Sequence, residues 1–302
     1  TIGAGGGSIA WVDGGGLLRV GPESAGSDPG PVCYGLGNTR PTVTDANVVL
    51  GRINAARPIG GKLAKLDTSA AEAVILEHVG TPLGLDTTAA AAAIIRVANG
   101  LMAGAIRLVS IERGHDPRKF VAMTFGGGGA LHAGALMLEV GLVKALVPRY
   151  PGVISALGCA IADMRQDAVA TVNRTLEELD PGELKSRMTA LADGIADLAG
   201  GDAEYSFAAD MSYQGQSHTV AVDLTAGPDS DAASLRGDFE TRYRNVYGRL
   251  LEGIPIRLLN LRVTALVRRE VFDLSALAPP ASASMETARS GTRRVWSDGE
   301  WR

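Results

Sequence analysis

Apolar and polar positions follow two different periods along this chain, and the changes between them mark out its elements. Ser8 to Val12 and Leu17 to Val20 are short apolar-rich runs joined by Asp13-Gly14-Gly15-Gly16. Asp-Gly between two such runs predicts a hairpin, because glycine accepts the positive φ that the turn requires. From Gly21 to Arg40 neither period holds, and repeated Gly-Pro and Asp-Pro steps predict a long irregular loop of the kind that often carries function. Thr44 or Asp45 is the expected cap of a short helix reaching Gly51. Asp67 or Thr68 is the expected cap of another that runs to Val79 and ends at Gly80. The longest helical pattern spans Asp86 to Arg113, with Gly114 beyond its end. Its small residues, Ala89 to Ala93, Gly100, Ala103 and Gly104, suit a helix pressed closely on a sheet.

Phe120 to Phe125 then reads as a strand running into Gly126-Gly127-Gly128-Gly129, followed by a helix over Ala130 to Val140. A strand at Lys144 to Val147, a small-residue helix at Gly152 to Ala162 and an extended stretch at Asp167 to Val172 complete an α/β alternation. The composition shifts near 173. A more charged helix pattern at Leu176 to Leu198 leads to strands at Tyr205 to Tyr213 and Thr219 to Leu224, a helix at Asp231 to Tyr247 and a strand at Ile256 to Val267. The division expected is an α/β domain over 1–172, an α+β module over 173–272 and a tail over 273–302, with the Ala-, Ser- and Pro-rich stretch Ser275 to Ser290 as a linker. No internal repeat of solenoid period is present.

With 302 residues, 46% of them hydrophobic and 21% charged, a sizeable core is expected. The formal net charge of −4, with Lys and Arg scattered, gives no footprint for nucleic acid or an anionic membrane, and both partners are discounted. The most membrane-like run, Ala89 to Val109, is interrupted by Arg96, Asn99 and Arg107 and reads as a core helix. Cys33 and Cys159 are far apart and form no CxxC, which fits a reducing cytoplasm and suggests no cysteine zinc site. No signal-peptide pattern opens the chain, and Thr1 without an initiator methionine reads as a fragment or a processed product.

Two glycine clusters carry the chemistry of interest. Gly3-Ala4-Gly5-Gly6-Gly7-Ser8 fails the dinucleotide GxGxxG pattern, since Ser8 replaces the third glycine, and it lacks the lysine of a P-loop. It is either a structural bend or a turn whose bare amides approach a phosphate. Gly126 to Gly129 precedes a helix, where unsatisfied amides and the positive end of the macrodipole favour anions; the alternative is tight strand-to-helix packing. His132, without a partner at i+4, is no metal motif, and a structural or hydrogen-bonding role is expected. Gly215-Gln216-Ser217-His218-Thr219 misses GxSxG, and Cys33 reads as a packed thiol. Asp28 and Asp45, in and just beyond the Pro/Gly loop, are the candidate catalytic or magnesium-binding carboxylates, against turn formation and N-capping as the structural alternatives.

The segments TIGAGGGSIAWVD, VGPESAGSDPGPVCYG, TVTDANVVLGR, FGGGGALHAGAL, GVISALGCAIADMR, SYQGQSHTV and YGRLLEGIPIRLLNLRV resemble, in that order, the hydantoinase A and 5-oxoprolinase family. The resemblance implies an α/β fold: one lobe of an actin-like, ribonuclease-H-like ATPase domain followed by a smaller α+β module. It implies ATP with Mg²⁺, a cyclic amide of the hydantoin or 5-oxoproline type as substrate, and a B-type subunit or fused equivalent as partner in an oligomer. Gly3, Gly5, Gly6, Gly7 and Ser8 would then form the second phosphate loop, and Gly126, Gly127, Gly128 and Gly129 would lie in the adenosine motif. A ketone carboxylase subunit of the same family and a non-catalytic packing domain are the alternatives. The chain departs from the family in carrying Ser212 where an arginine is usual and Gly128 where alanine is. The family's N-terminal lobe and closing C-terminal segment are absent from these 302 residues, so an exposed apolar surface and an inactive fragment are expected.

Overall fold

A computed structural model describes residues 2–58, 63–199, 202–278 and 284–302. They form two compact units, one of residues 1–158 with 274–302 and one of residues 159–273.

The first unit opens with the expected hairpin, β1 (Ser8–Val12) antiparallel to β2 (Leu18–Ser24). Its turn is set by Asp13, whose Oδ1 accepts the amides of Gly15 and Leu17, each at 3.0 Å, while Gly16 supplies a φ of +77°. β2 runs further than the apolar pattern indicated because the chain stays extended past Gly21. A Cβ at Gly21 would lie 2.0 Å from the Gly3 carbonyl oxygen, so glycine at 21 is what lets β2 pass close beneath the first glycine cluster.

Helix α1 (Val43–Val49) is the centre of the unit's core. Its Val43, Ala46 and Val49 pack with Ala10 and Val20 of the hairpin, with Ala71 and Ile75 of α2 (Thr68–Ile75), and with α4. Beyond α2 the helical path continues through a wide turn over Leu76–Gly80 into the short α3 (Thr81–Leu83), so Gly84, at φ +65°, ends it rather than Gly80. Helix α4 (Thr87–Val109) is capped by Asp86, which accepts the Ala89 amide at 2.7 Å. It is long and apolar enough to cross a membrane by length and composition, and here its Ala90, Ile94 and Ala98 are fully buried in the core. Each buried isoleucine contributes about 1.5–3 kcal/mol relative to exposure.

Strand β3 (Val121–Met123) pairs in parallel with β4 (Lys144–Leu146), the two connected through α5 (Gly129–Val140), and α6 (Ile154–Ile161) follows. An apolar cavity of about 420 Å³ lies between β3, α4 and α5, lined by Met102, Ile106, Phe120, Thr124, Gly129 and Leu136 among others. Val121 and Met123 are about half exposed, and Leu138 is 88% exposed. The apolar surface expected from the sequence is thus present.

The tail is not a free linker. Of the Ser275 to Ser290 stretch, 279–283 lie outside the described residues, and α9 (Met285–Ala288) follows them. The two-stranded ribbon of β9 (Trp296–Ser297) and β10 (Glu300–Trp301) straps the end of α1: the Trp296 amide donates to the Leu50 carbonyl and Arg293 Nε to the Gly51 carbonyl, each at 2.9 Å.

The second unit is an antiparallel sheet in the order β5-β8-β6-β7. Its strands are β5 (Met164–Thr175), β6 (Glu204–Tyr213), β7 (Val220–Asp223) and β8 (Ile256–Val267). Helices α7 (Pro181–Ala199) and α8 (Ala232–Tyr247) pack on it. Tyr213, Phe239 and Tyr243 meet edge-on or tilted in its core. β5 is ladder-paired with β8 from Met164↔Val267 to Thr175↔Arg257, so the division expected near 172 falls inside a strand, and the unit begins at 159.

Candidate functional site

Gly5 to Ser8 form a tight turn that delivers the chain into β1. The Ser8 amide donates to the Gly5 carbonyl at 3.0 Å, and Ser8 Oγ accepts the Gly5 amide at 2.9 Å. The carbonyl of Gly6 accepts both the amide (2.8 Å) and the hydroxyl (2.9 Å) of Thr44, and the carbonyl of Gly7 accepts the Ala25 amide at 2.8 Å. A Cβ at Gly6 would sit 2.8 Å from Thr44 Oγ1 and one at Gly7 2.8 Å from Ser24 Oγ, whereas one at Gly5 would meet nothing within 4 Å. The turn's carbonyls are therefore consumed by protein donors. Among the described residues, the amides of Gly6 and Gly7 have no acceptor. A turn with spent carbonyls and free amides is receptive to anions.

Thr44 reaches this turn because α1 starts beside it. The sequence reading placed the cap at Thr44 or Asp45; the cap is Thr42, and Asp45 is its partner three residues on in a capping box. Asp45 is fully buried. Its Oδ2 accepts the Thr42 amide (2.9 Å), the Thr42 hydroxyl (2.8 Å) and the Val32 amide (3.2 Å), and its Oδ1 accepts the Cys33 amide (2.8 Å). With both oxygens accepting protein donors in the core, this carboxylate fastens the 32–35 turn to α1 and is shielded from solvent. Asp28 is exposed, in the loop closed by the Gly30 amide on the Ala25 carbonyl at 3.1 Å. Ala25 is also the residue that bonds Gly7, so the structure brings the Asp28 loop and the glycine turn together.

The second cluster begins with Gly126, at φ +85°, whose amide donates to the Pro151 carbonyl at 2.7 Å. Gly128 is the N-cap of α5 and makes no side-chain cap bond. Among the described residues the amides of Gly127, Gly128, Gly129 and Ala130 have no acceptor, and a Cβ at Gly127 or Gly128 would meet nothing within 4 Å. Thr124, just before the cluster, has a buried Oγ1 with no partner. No hydrogen bond among the described residues joins the two clusters; α4 lies between them, packed on β2 and α1 and also on α5.

His132, in the first turn of α5, is buried, and its Nδ1 is 2.7 Å from Asn99 Oδ1. Because that oxygen only accepts, Nδ1 carries the proton. Burial, and then the nearby Arg52 guanidinium, hold the imidazole below its ordinary pKa, so the ring is neutral near pH 7. This is the hydrogen-bonding role expected for it. Asn99 and Thr44 were not legible as site residues; the one available signal was an asparagine within an alanine-rich helix.

Ser217 and His218 are exposed and share no hydrogen bond among the described residues, so the near-GxSxG segment assembles no hydrolase machinery. No group of three His, Cys, Asp or Glu side chains suited to a metal occurs among the described residues. Cys33 lies in the core, and burial, then the Asp45 and Asp67 charges, push its thiol far above the usual range, whereas Cys159 is exposed. A thiol-reactive disulfide reagent is expected to modify Cys159 alone in the native protein, with Cys33 reacting only after unfolding; absorbance at stoichiometric endpoint checks this.

An α/β unit presenting two glycine segments whose free amides can receive an anion has the make-up of a phosphate-handling domain. The chain belongs to the hydantoinase/oxoprolinase family, whose model matches residues 1–168. It is 36% identical to the caprolactamase subunit alpha of Pseudomonas jessenii, over 94% of this chain and 42% of that protein. It is also 36% identical to the acetophenone carboxylase gamma subunit of Aromatoleum aromaticum, over 84% of this chain and 37% of that one. The crystal structure of the ATP-dependent caprolactamase from Pseudomonas jessenii superposes with a TM-score of 0.67, covering 88% of this chain and 40% of that one. The fold class expected from the sequence, an actin-like ATPase-type α/β lobe with a smaller α+β unit, is thereby established. The chain spans about two-fifths of the length of these relatives.

Proposed function

We propose that this chain is part of an ATP-dependent enzyme that opens a cyclic amide of the hydantoin or 5-oxoproline type. The observation that carries the reading is the arrangement of free amides at two glycine segments, at Gly6 and Gly7 of one and at Gly127 to Ala130 of the other. The 36% identity to a caprolactamase described as ATP-dependent supports it. An amide carbonyl is a poor electrophile, and ATP, when bound, supplies the phosphoryl group that converts its oxygen into a leaving group.

Within that reading, the turn formed by Gly3, Gly5, Gly6, Gly7 and Ser8 holds phosphate oxygens through backbone amides, with Thr44 and the Ala25 amide fixing the turn from behind. Gly126 to Gly129 receive the adenosine portion, the absence of side chains leaving the backbone open to a flat group. The donor set fits a nucleotide. For magnesium, a phosphate-bound ion needs one or two carboxylates, and the exposed Asp28, on the loop tied to Gly7, is the one offered. Asp45 acts from behind the site as a positioning residue. A partner of the B type, or its fused equivalent, completes the enzyme in a cytoplasmic oligomer; the relatives' own designations as alpha and gamma subunits support a multi-subunit setting. The two unpaired cysteines suit that compartment.

A carboxylase subunit is the second reading, favoured by the relationship to acetophenone carboxylase. Phosphate release by the intact polypeptide with its partner separates the two. Release stimulated by a cyclic amide without bicarbonate supports the amidohydrolase, and release requiring ketone plus bicarbonate supports the carboxylase. Failure to bind Mg-ATP overturns both.

A further inference from the structure

We propose that Asn99 is a positioning residue that holds the start of α5, and with it the Gly126 to Gly129 loop, in place through His132. Its consequence for ligand binding rests on the nucleotide reading above; its structural part does not.

Asn99 is the single polar residue among the buried positions of α4, which are otherwise alanine and isoleucine. Its Oδ1 is spent on His132 Nδ1 at 2.7 Å. Asparagine is a poorer helix former than alanine and carries a buried amide, so the position is explained by its partner rather than by the helix. That partner is one turn into α5, whose N-terminus has no side-chain cap and is preceded by three residues without Cβ atoms. Glycine does not select a backbone conformation on its own. The Gly126 amide on the Pro151 carbonyl fixes the entry to the loop, and the Asn99 to His132 bond is the side-chain tie fixing its exit against α4. At the far end of α5, Arg107 donates to the Glu139 carbonyl, which anchors the helix axis but not its first turn.

The pair lies near Arg52, from the segment after α1, on which the Asp298 carboxylate of the C-terminal ribbon acts. Protonation of His132 at Nε2 would leave the Nδ1–H bond to Asn99 Oδ1 in place, so the tie does not depend on the charge of the ring, which burial and then Arg52 keep neutral.

The test compares Asn99→Leu with Asn99→Asp in the same chain, following amide exchange at Gly126 and Leu131 and calorimetric titration with Mg-ATP. Asn99→Leu is expected to speed exchange of the Leu131 amide, which donates to the Gly128 carbonyl, about tenfold and to weaken Mg-ATP about tenfold, with exchange in α4 unchanged. Asn99→Asp keeps an acceptor and places a carboxylate on the His132 ring. It should keep native exchange at Leu131 and raise the His132 titration midpoint. Wild-type exchange at Leu131 in Asn99→Leu, or a loss spread evenly over α4 and α5, overturns the proposal. If the leucine variant does not fold, an unmoved His132 midpoint in Asn99→Asp overturns it instead. Loosened amides in a chain that never binds Mg-ATP would uphold the positioning role and defeat the nucleotide reading.

Discussion

Replacing Asp45 by alanine is expected to destabilise the first unit by about 3–5 kcal/mol, a fall of roughly 10 °C in melting temperature. The carboxylate is fully buried and accepts from the amides of Val32, Cys33 and Thr42 and from the Thr42 hydroxyl. Removing it leaves three buried N–H groups without acceptors, each costing about 1–3 kcal/mol in isolation, and the losses overlap because one relaxation relieves several. Asp45→Asn keeps one carbonyl oxygen but turns an NH₂ toward donors, and is expected to recover less than half of the loss. Urea unfolding followed by tryptophan fluorescence measures both, since Trp11 and Trp296 belong to this unit. A folded Asp45→Ala chain of native stability whose assembled enzyme had lost ATP-dependent turnover would instead return Asp45 to the catalytic role considered for it from the sequence.

The second large effect is on ligand affinity with the fold preserved. Gly5→Val and Gly127→Val each place a side chain where a Cβ meets nothing within 4 Å, and neither glycine has a positive φ, so the melting temperature should hold to within about 2 °C. Each is expected to weaken Mg-ATP about 100-fold, the equivalent of about 2.7 kcal/mol, by blocking approach to the free amides. Gly6→Val serves poorly as the corresponding test, because its Cβ would press on Thr44 Oγ1 and unseat the turn itself. Calorimetry on the intact polypeptide decides the matter: native affinity in both folded variants would mean that the glycine segments only turn the chain.

Where local chemistry dictates structure, the sequence was legible. The hairpin around Asp13, the Asp67 cap, the helix starts at Asp86 and Asp231 and the full extent of β8 follow from turn residues, capping side chains and alternation acting over a few positions. What escaped depended on contacts distant in sequence. Thr42, Thr44 and Asp45 are all plausible caps by type, and only the depth of the 32–35 turn against α1 selects among them. The extended stretch at 167–172 was legible, but its being the middle of a longer strand paired with the distant β8 was not, so the division expected near 172 falls inside β5. Of the candidate site, both glycine clusters were evident from composition. Their supports were not, since Thr44 and Asn99 each act on a group that no motif places beside them.

Helix α1 is held at both ends by hydrogen bonds to opposite extremes of the chain. Thr44 at its start grips the Gly6 carbonyl, while Trp296 and Arg293 grip the carbonyls of Leu50 and Gly51 just past its finish. The glycine turn at 5–8 and the ribbon at 293–302, nearly three hundred residues apart in sequence, are thus moored to the two ends of one short helix. Completing the first unit is therefore a long-range event in folding, since contacts this distant along the chain form only after the entropy of closing the loop between them has been overcome.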